Sequence, residues 1–329
     1  MLGPVALSHA LDLAIEESWK VKGTTSPNPP VGAVILGSSG EVLAVGATQP
    51  AGKAHAEVVA LRRAGAAARG GAAVVTLEPC NHTGRTGPCT EALLRAGIAE
   101  VYYAHPDPGE REGGGADYLR SRGVTVRRLP VEVAPLRPWL VAMRRGRPHV
   151  TLKFAQTLDG FTAALDGSSQ WITGEEARAH VHLDRSRRDA IVVGTGTAWA
   201  DRPALTARAS GGLYPHQPRR VVIGTRELPE EMREQGFEQY PGIPQALATL
   251  WDKGDRDILI EGGAHLAHSA LMADEVDAIQ AYLAPVIVGG GRGVVARPLV
   301  ETLGAARRWR TREVRQLGLD TLIEMERGE

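Results

Sequence analysis

The chain has 329 residues, more than one typical domain of about 100–200, so two domains are expected. Its 43% hydrophobic and 23% charged residues exclude a wholly disordered chain. The 38 basic and 38 acidic side chains cancel, leaving no global field for nucleic acid or an anionic membrane; any anionic ligand must be held by local charges.

Residues 4–21 place Leu7, Leu11, Ile15 and Trp19 at helical spacing. Acidic residues lie inside this stretch, which lacks the basic-then-apolar layout of a signal peptide. No apolar run approaches the roughly 18 residues of a membrane span, so a cytoplasmic protein is expected. After the breaker-rich GTTSPNPPVG, the β-rich runs 31–36 and 41–48 predict a hairpin. A helix over 55–70, a strand over 72–80, a helix over 88–97 with Pro88 at its start and Gly97 at its end, and a strand over 100–104 follow. A helix near 116–122 and the strand VTVRRL complete an α/β unit of domain size.

The stretch 130–148 carries four prolines and the basic residues Arg144, Arg145 and Arg147, and predicts a boundary helix and linker. Domains 1–145 and 146–329 are therefore expected. In the second, the runs HVTLKFAQ, DAIVVGTGT, RRVVIGT, DILIEGG and AIQAYLAPVIVGGG alternate with helical stretches at 174–187, 244–252 and 264–273, which predicts a mostly parallel sheet. Neither GTGT at 194–197 nor GGGRG at 289–293 completes a G-x-G-x-x-G fingerprint, so a Rossmann domain is disfavoured.

Chemistry concentrates in two short stretches, A-H-A-E-V at 54–58 and L-E-P-C-N-H-T-G-R-T-G-P-C at 77–89. One His, two Cys and a Glu two positions after the His form the pattern of zinc-dependent deaminases. His55, Cys80 and Cys89 supply three ligands and leave a fourth position for water, while Glu57 moves protons. His55 and Glu57 converge only at a helix start, because residues two apart in mid-helix point to opposite sides. Cys89, after Pro88, opens the next helix, where the dipole favours thiolate. The bland alternative is a structural zinc site with His82 as fourth ligand, but such a site has no use for Glu57.

The eight residues between the cysteines exceed the two of the commoner deaminase pattern. Together with TTSPNPPVGAV, HAEVVAL and TLEPCNHTGRTGPC, this longer loop resembles the bifunctional riboflavin-biosynthesis deaminase/reductase family. The similarity continues through GRPHVTLKFAQTLDG (146–160), SSQWITG (168–174), DAIVVGTGTAWADRPALTAR (189–208) and EGG (261–263), and so covers nearly the whole chain.

The resemblance implies a cytidine-deaminase-like α/β/α N-terminal domain and a dihydrofolate-reductase-like α/β C-terminal domain, with zinc and NADPH as cofactors. It implies deamination of 2,5-diamino-6-ribosylamino-4-pyrimidinone 5′-phosphate, then reduction of the ribosyl chain to ribityl. It places Asn28, His82 and Arg85 at the first substrate site and Ser169, Arg185, Leu205, Arg208 and Glu261 at the second, with Lys153, one of only five lysines, beside the ribose carbonyl. It assigns Ala155, Trp171, Thr197, Asp201, Thr225 and the stretch Gly263, Ala264, His265, Leu266, Ala267, His268 and Ser269 to NADPH. This sequence departs from the family in TLDG, in Asp201-Arg202-Pro203, in Ile223-Gly224-Thr225 and in a shortened 210–256 region. The expected partners are a phosphorylated pyrimidine and further copies of the chain as a homo-oligomer, with neither nucleic acid nor membrane. The rival reading is a zinc deaminase of another nucleoside or nucleotide with a non-catalytic nucleotide-binding second domain.

Overall fold

The computed structural model describes residues 3–82, 87–109 and 112–328. The chain divides into two compact units, Met1–Gly146 and Arg147–Glu329.

In the first unit the elements run α1 (Pro4–Val21), β1 (Gly32–Leu36), β2 (Val42–Ala47), α2 (Ala56–Ala64), β3 (Ala72–Leu77), α3 (Cys89–Ala96), β4 (Glu100–His105), α4 (Gly115–Ser121), β5 (Thr125–Arg128) and α5 (Arg137–Arg145). They form a sheet of order β2-β1-β3-β4-β5, antiparallel across the β1–β2 hairpin and β1–β3, and parallel from β3 to β5. β3, AAVVTL, is buried along its whole length, as a central strand covered on both faces must be. Its carboxyl end therefore opens onto the loop carrying Cys80, while Ala56, Ala60, Ala10 and Ala14 let the flanking helices sit close to the sheet.

The second unit contains β6 (His149–Thr157), β7 (Phe161–Ala163), α6 (Glu175–Arg185), β8 (Ala190–Gly194), α7 (Thr195–Asp201), β9 (Arg208–Ala209), β10 (Gly212–Leu213), β11 (Arg219–Ile223), α8 (Glu230–Glu234), β12 (Glu238–Tyr240), α9 (Ile243–Asp252), β13 (Asp257–Ile260), α10 (Ala264–Met272), β14 (Ala278–Ala284), β15 (Arg292–Gly293), β16 (Trp309–Leu317) and β17 (Asp320–Arg327). Its main sheet has the order β12-β11-β8-β13-β6-β14-β17-β16. The first six strands are parallel, and β17 pairs antiparallel with both β14 and β16. The expected mostly parallel sheet is present. The predicted strand through AIQAYLAPVIVGGG stops at Ala284, because Pro285 has no N–H for the ladder. The GTGT run leads from Gly194 into the two-turn helix α7, which ends where Arg202 and Leu205 adopt positive φ on either side of Pro203.

Candidate active sites

The first site forms at the carboxyl end of the central strand β3, where the starts of α2 and α3 meet the loop after β3. His55 is the N-cap of α2, Cys89 is the first residue of α3, and Cys80 follows β3. His55 Nδ1 lies 3.5 Å from Cys80 Sγ and 3.3 Å from Cys89 Sγ, and the three candidate ligand atoms all fall within 4.8 Å of one another. The two cysteines are buried and form no disulfide. The Cys89 N–H, at the start of α3, donates to Cys80 Sγ at 3.5 Å. A hydrogen bond from the neighbouring Cys89 thiol holds Cys80 down to about 4, and the same contact with burial pushes Cys89 up. This donor set, soft and partly ionised before any cation arrives, fits zinc. His82 is not part of the group: its Nε2 sits 4.0 Å from Glu112 Oε1, which leaves three protein ligands among the described residues.

Glu57 lies in the first turn of α2, buried against Cys89, and burial pushes its carboxyl up to about 7. Asn28 is half-buried in the loop before β1, where Thr25 Oγ1 donates to its carbonyl at 3.0 Å. That loop is fixed from α5 by Trp139 Nε1, which donates to the Pro27 carbonyl at 2.9 Å. His82 Nδ1 is buried with no hydrogen-bond partner among the described residues. Arg85 lies outside the described residues.

Three supports of this site carry no clear mark in the sequence. Glu78 Oε1 accepts from Ala116 N at 2.8 Å, which ties the cysteine loop to α4. At Gly115 a Cβ would stand 1.8 Å from the Pro79 carbonyl oxygen, so only glycine lets α4 approach so closely; the triple-glycine run is the one available signal. Asp107, half-buried beyond β4, is pushed up to about 6 by burial.

The second site lies at the carboxyl ends of the parallel strands. Arg185 from α6 makes a bidentate pair with Glu261 after β13, Nε to Oε1 at 2.6 Å and Nη2 to Oε2 at 2.8 Å. Lys153 on β6 approaches Glu261 Oε2 at 3.7 Å and lies 5.6 Å from the centre of the Tyr282 ring. The Glu261 side chain is nearly buried; the two cations overcome desolvation and hold its carboxyl down to about 2. Arg185 Nη1 and His182 Nδ1 both reach the Thr206 carbonyl, and Arg208 Nη1 donates to Thr206 Oγ1 at 3.3 Å, so the 205–208 segment joins this cluster. Ser169 is exposed, and the Leu205 side chain is buried among Ile191, Val193 and Val222, so Leu205 has only its main chain to offer a ligand.

Beside this cluster, α7 and α10 open toward each other: a side chain on Gly263 would meet the Thr197 hydroxyl at 3.5 Å. Two helix starts after glycine turns, at the ends of parallel strands, suit the phosphates of a dinucleotide such as NADPH. Within 263–269, Leu266 and Ala267 face the core, whereas Gly263, His265 and Ser269 are exposed and Ala264 and His268 half-buried. Buried His268 Nδ1 has no hydrogen-bond partner among the described residues. Ala155 is half-buried opposite Tyr282, and exposed Trp171 lies under the Arg178 guanidinium at 4.7 Å. Asp201 and Thr225 are exposed. At Gly224, φ is +135° and a Cβ would stand 2.6 Å from Thr195 Oγ1, so the threonine occupies the space that a side chain there would need.

Residues 148–323 match the family described as RibD C-terminal domain, and residues 6–105 match the cytidine and deoxycytidylate deaminase zinc-binding region. The riboflavin biosynthesis protein RibD of Corynebacterium ammoniagenes is 54% identical over 310 residues, covering 91% of this chain and 92% of that protein. Among solved structures, RibD of Acinetobacter baumannii superposes with a TM-score of 0.85 at 32% identity, covering 99% of both chains. A diaminohydroxyphosphoribosylaminopyrimidine deaminase/5-amino-6-(5-phosphoribosylamino)uracil reductase from Thermotoga maritima gives 0.88 at 28% identity, covering 98% of this chain and 99% of that one. The chain therefore belongs to the RibD family of riboflavin biosynthesis, bifunctional enzymes that join a zinc-dependent deaminase to an NADPH-dependent reductase.

Proposed function

We propose that the unit ending at Gly146 carries the deaminase and the unit beginning at Arg147 the reductase, with the residues named above in the following roles. His55, Cys80 and Cys89 hold zinc, which when bound lowers the pKa of a coordinated water toward neutrality. Glu57, buried at the start of α2, takes a proton from the attacking water and returns one to the departing amine, so that the C2 amine of the pyrimidine leaves as ammonia and a carbonyl replaces it. Asn28 and His82 orient the ring, and Arg85 meets the ribose phosphate.

In the reductase, Arg185 and Arg208 hold the phosphorylated chain and Glu261 fixes Arg185 and Lys153 in place. NADPH, held by the cofactor-side residues, would supply a hydride for the ribosyl chain. Lys153 holds a proton for the ring oxygen released when the carbon–oxygen bond opens. Ser169 and the Leu205 main chain line the substrate side; Ala155, Trp171, Thr197, Asp201, Thr225 and the Gly263–Ser269 stretch line the cofactor side.

The observation that carries this reading is the His55–Cys80–Cys89 group with Glu57 buried beside it, in a chain whose second unit holds a separate buried carboxylate–guanidinium clamp. It is tested with a coupled assay: ammonia release from the diaminopyrimidine phosphate, followed by loss of NADPH absorbance that depends on the deaminated intermediate. Stoichiometric zinc without ammonia release overturns the first half, and no NADPH loss at saturating cofactor overturns the second.

The reading also includes a cytoplasmic location and a homo-oligomeric state. No helix among the described residues is long and apolar enough to cross a membrane. Sedimentation velocity distinguishes the oligomer from a monomer.

A further inference from the structure

A reductase that uses NADPH must distinguish it from NADH by one group, the 2′-phosphate on the adenosine ribose. None of the residues assigned above to the cofactor carries a fixed positive charge. A phosphate dianion calls for one, preferably a guanidinium already held in position.

The order of strands narrows the search. Lys153 is on β6 and Glu261 follows β13; next comes β8, which leads into Thr195 and Thr197 at the start of α7, then β11, which leads into Gly224 and Thr225. Hydride chemistry belongs beside Lys153 and Glu261, so a dinucleotide laid across the strand ends directs its adenosine toward β11. Three arginines lie near the carboxyl end of that strand, and two are occupied by carboxylates. Arg202 Nη1 pairs with Glu231 Oε2 at 3.1 Å, and Arg233 Nη1 with Glu227 Oε1 at 2.6 Å. The third, Arg226, directly follows Thr225, is exposed, and has no carboxylate partner among the described residues.

Its guanidinium is nevertheless held. The guanidinium carbon lies 4.1 Å from the centre of the Trp199 ring on α7, and Trp199 Nε1 donates to the Glu227 carbonyl at 2.9 Å, so the indole is pinned beneath it. Gln239 Nε2 donates to the carbonyls of both Gly224 and Arg226, at 2.7 and 2.8 Å, and braces the turn. Thr195, packed where a side chain on residue 224 would stand, closes the remaining gap between β8 and β11. The result is a cation fixed on an aromatic face at the end of the proposed cofactor crevice, with no acid among the described residues on its N–H edge.

We propose that Arg226, stacked on Trp199, binds the 2′-phosphate and sets the preference for NADPH over NADH. This deepens the NADPH reading above and rests on it. Binding of adenosine 2′,5′-bisphosphate and of 5′-AMP is measured by calorimetry on the full-length protein, alongside KM for NADPH and NADH. R226Q is expected to weaken the bisphosphate about tenfold, as loss of one charge-assisted contact does, with 5′-AMP unchanged. KM for NADPH rises by a similar factor with kcat and the NADH parameters held, and R226K recovers part of the loss. Equal weakening of both nucleotides would assign Arg226 a structural role, and no change would place the phosphate elsewhere; either overturns the proposal while leaving NADPH oxidation by the parent enzyme intact. Failure of the parent enzyme to oxidise NADPH, with the bisphosphate still bound and still sensitive to R226Q, overturns the reductase reading and leaves Arg226 a phosphate-binding residue.

Discussion

The two sites solve opposite problems with charge. The first crowds acidic groups together: two thiols and a carboxylate gather around one imidazole, the hydrogen bond to Cys80 and burial push Cys89 up, and burial and the Cys80 charge push Glu57 up. Such a cluster waits for a cation. The second already balances its carboxylate within the protein: Arg185 and Lys153 flank Glu261, hold it ionised and leave a net positive charge. The cations there are positioned by the chain itself, so under the proposed roles a substrate phosphate would meet a preformed surface. Metal dependence should therefore separate the activities: chelation removes ammonia release and leaves reduction of the deaminated intermediate unchanged.

The largest effect expected from one substitution is at Glu57. E57Q keeps the size of the side chain but cannot carry the proton, so kcat for ammonia release should fall about 10²–10⁴-fold with zinc content unchanged. Metal analysis beside the kinetics checks this; normal deamination at full zinc occupancy would break the assignment and with it the contrast between the sites.

The matching substitution in the second site should act mainly on stability. E261Q leaves Arg185 nearly buried without its counter-charge, a class of change that costs about 3–5 kcal/mol. The pH dependence has a definite sign. The folded-state pKa of Glu261, about 2, lies below its unfolded value near 4.5, so its contribution is present at neutral pH and is lost as pH falls from about 4.5 toward 2. Its size is on the order of 3 kcal/mol. Denaturant unfolding from pH 7 to 3 should show the parent protein losing more than half of this increment, about 2 kcal/mol, and E261Q lacking that loss; parallel curves would mean that the clamp adds no stability.

How much of each site is legible in the sequence follows from the same contrast. The ligands of the first lie within two short stretches, and zinc restricts both residue type and spacing, so His55, Glu57, Cys80 and Cys89 are readable from the order of residues alone. The second draws on β6, α6, the 205–208 segment and the end of β13; Arg185 and Glu261 are 76 positions apart, and each alone resembles a solvated charge. Family resemblance names them, but only the fold shows that they pair with each other. Parallel strands are legible from alternating apolar runs and helices. Helix α7 is not, because Thr195-Gly196-Thr197 has weak helical propensity and tertiary packing decides its state.

Gly115 tests the first site from outside its ligand set. G115A inserts a methyl group 1.8 Å from the Pro79 carbonyl oxygen, so the loop carrying Cys80 or the start of α4 must shift. The expected cost is about 1–3 kcal/mol, the range for overpacking. Zinc affinity should fall with it while the reductase parameters hold. Full zinc affinity in G115A would show that the Cys80 loop is positioned without α4.

The smallest effect is expected at Trp139, which acts through a loop. Its indole N–H bonds the Pro27 carbonyl across 112 positions of sequence, and the residue after Pro27 is Asn28. W139F keeps an aromatic ring at this buried position, removes the donor and leaves the carbonyl to find water, at about 1–2 kcal/mol. Since neither zinc nor Glu57 depends on that bond, kcat for deamination should change little. KM for the pyrimidine phosphate should rise severalfold as Asn28 loses its fixed position. A fall in kcat with KM constant would move Asn28 from binding the ring to assisting its chemistry, and would make the first site depend on its periphery as strongly as the second depends on its clamp.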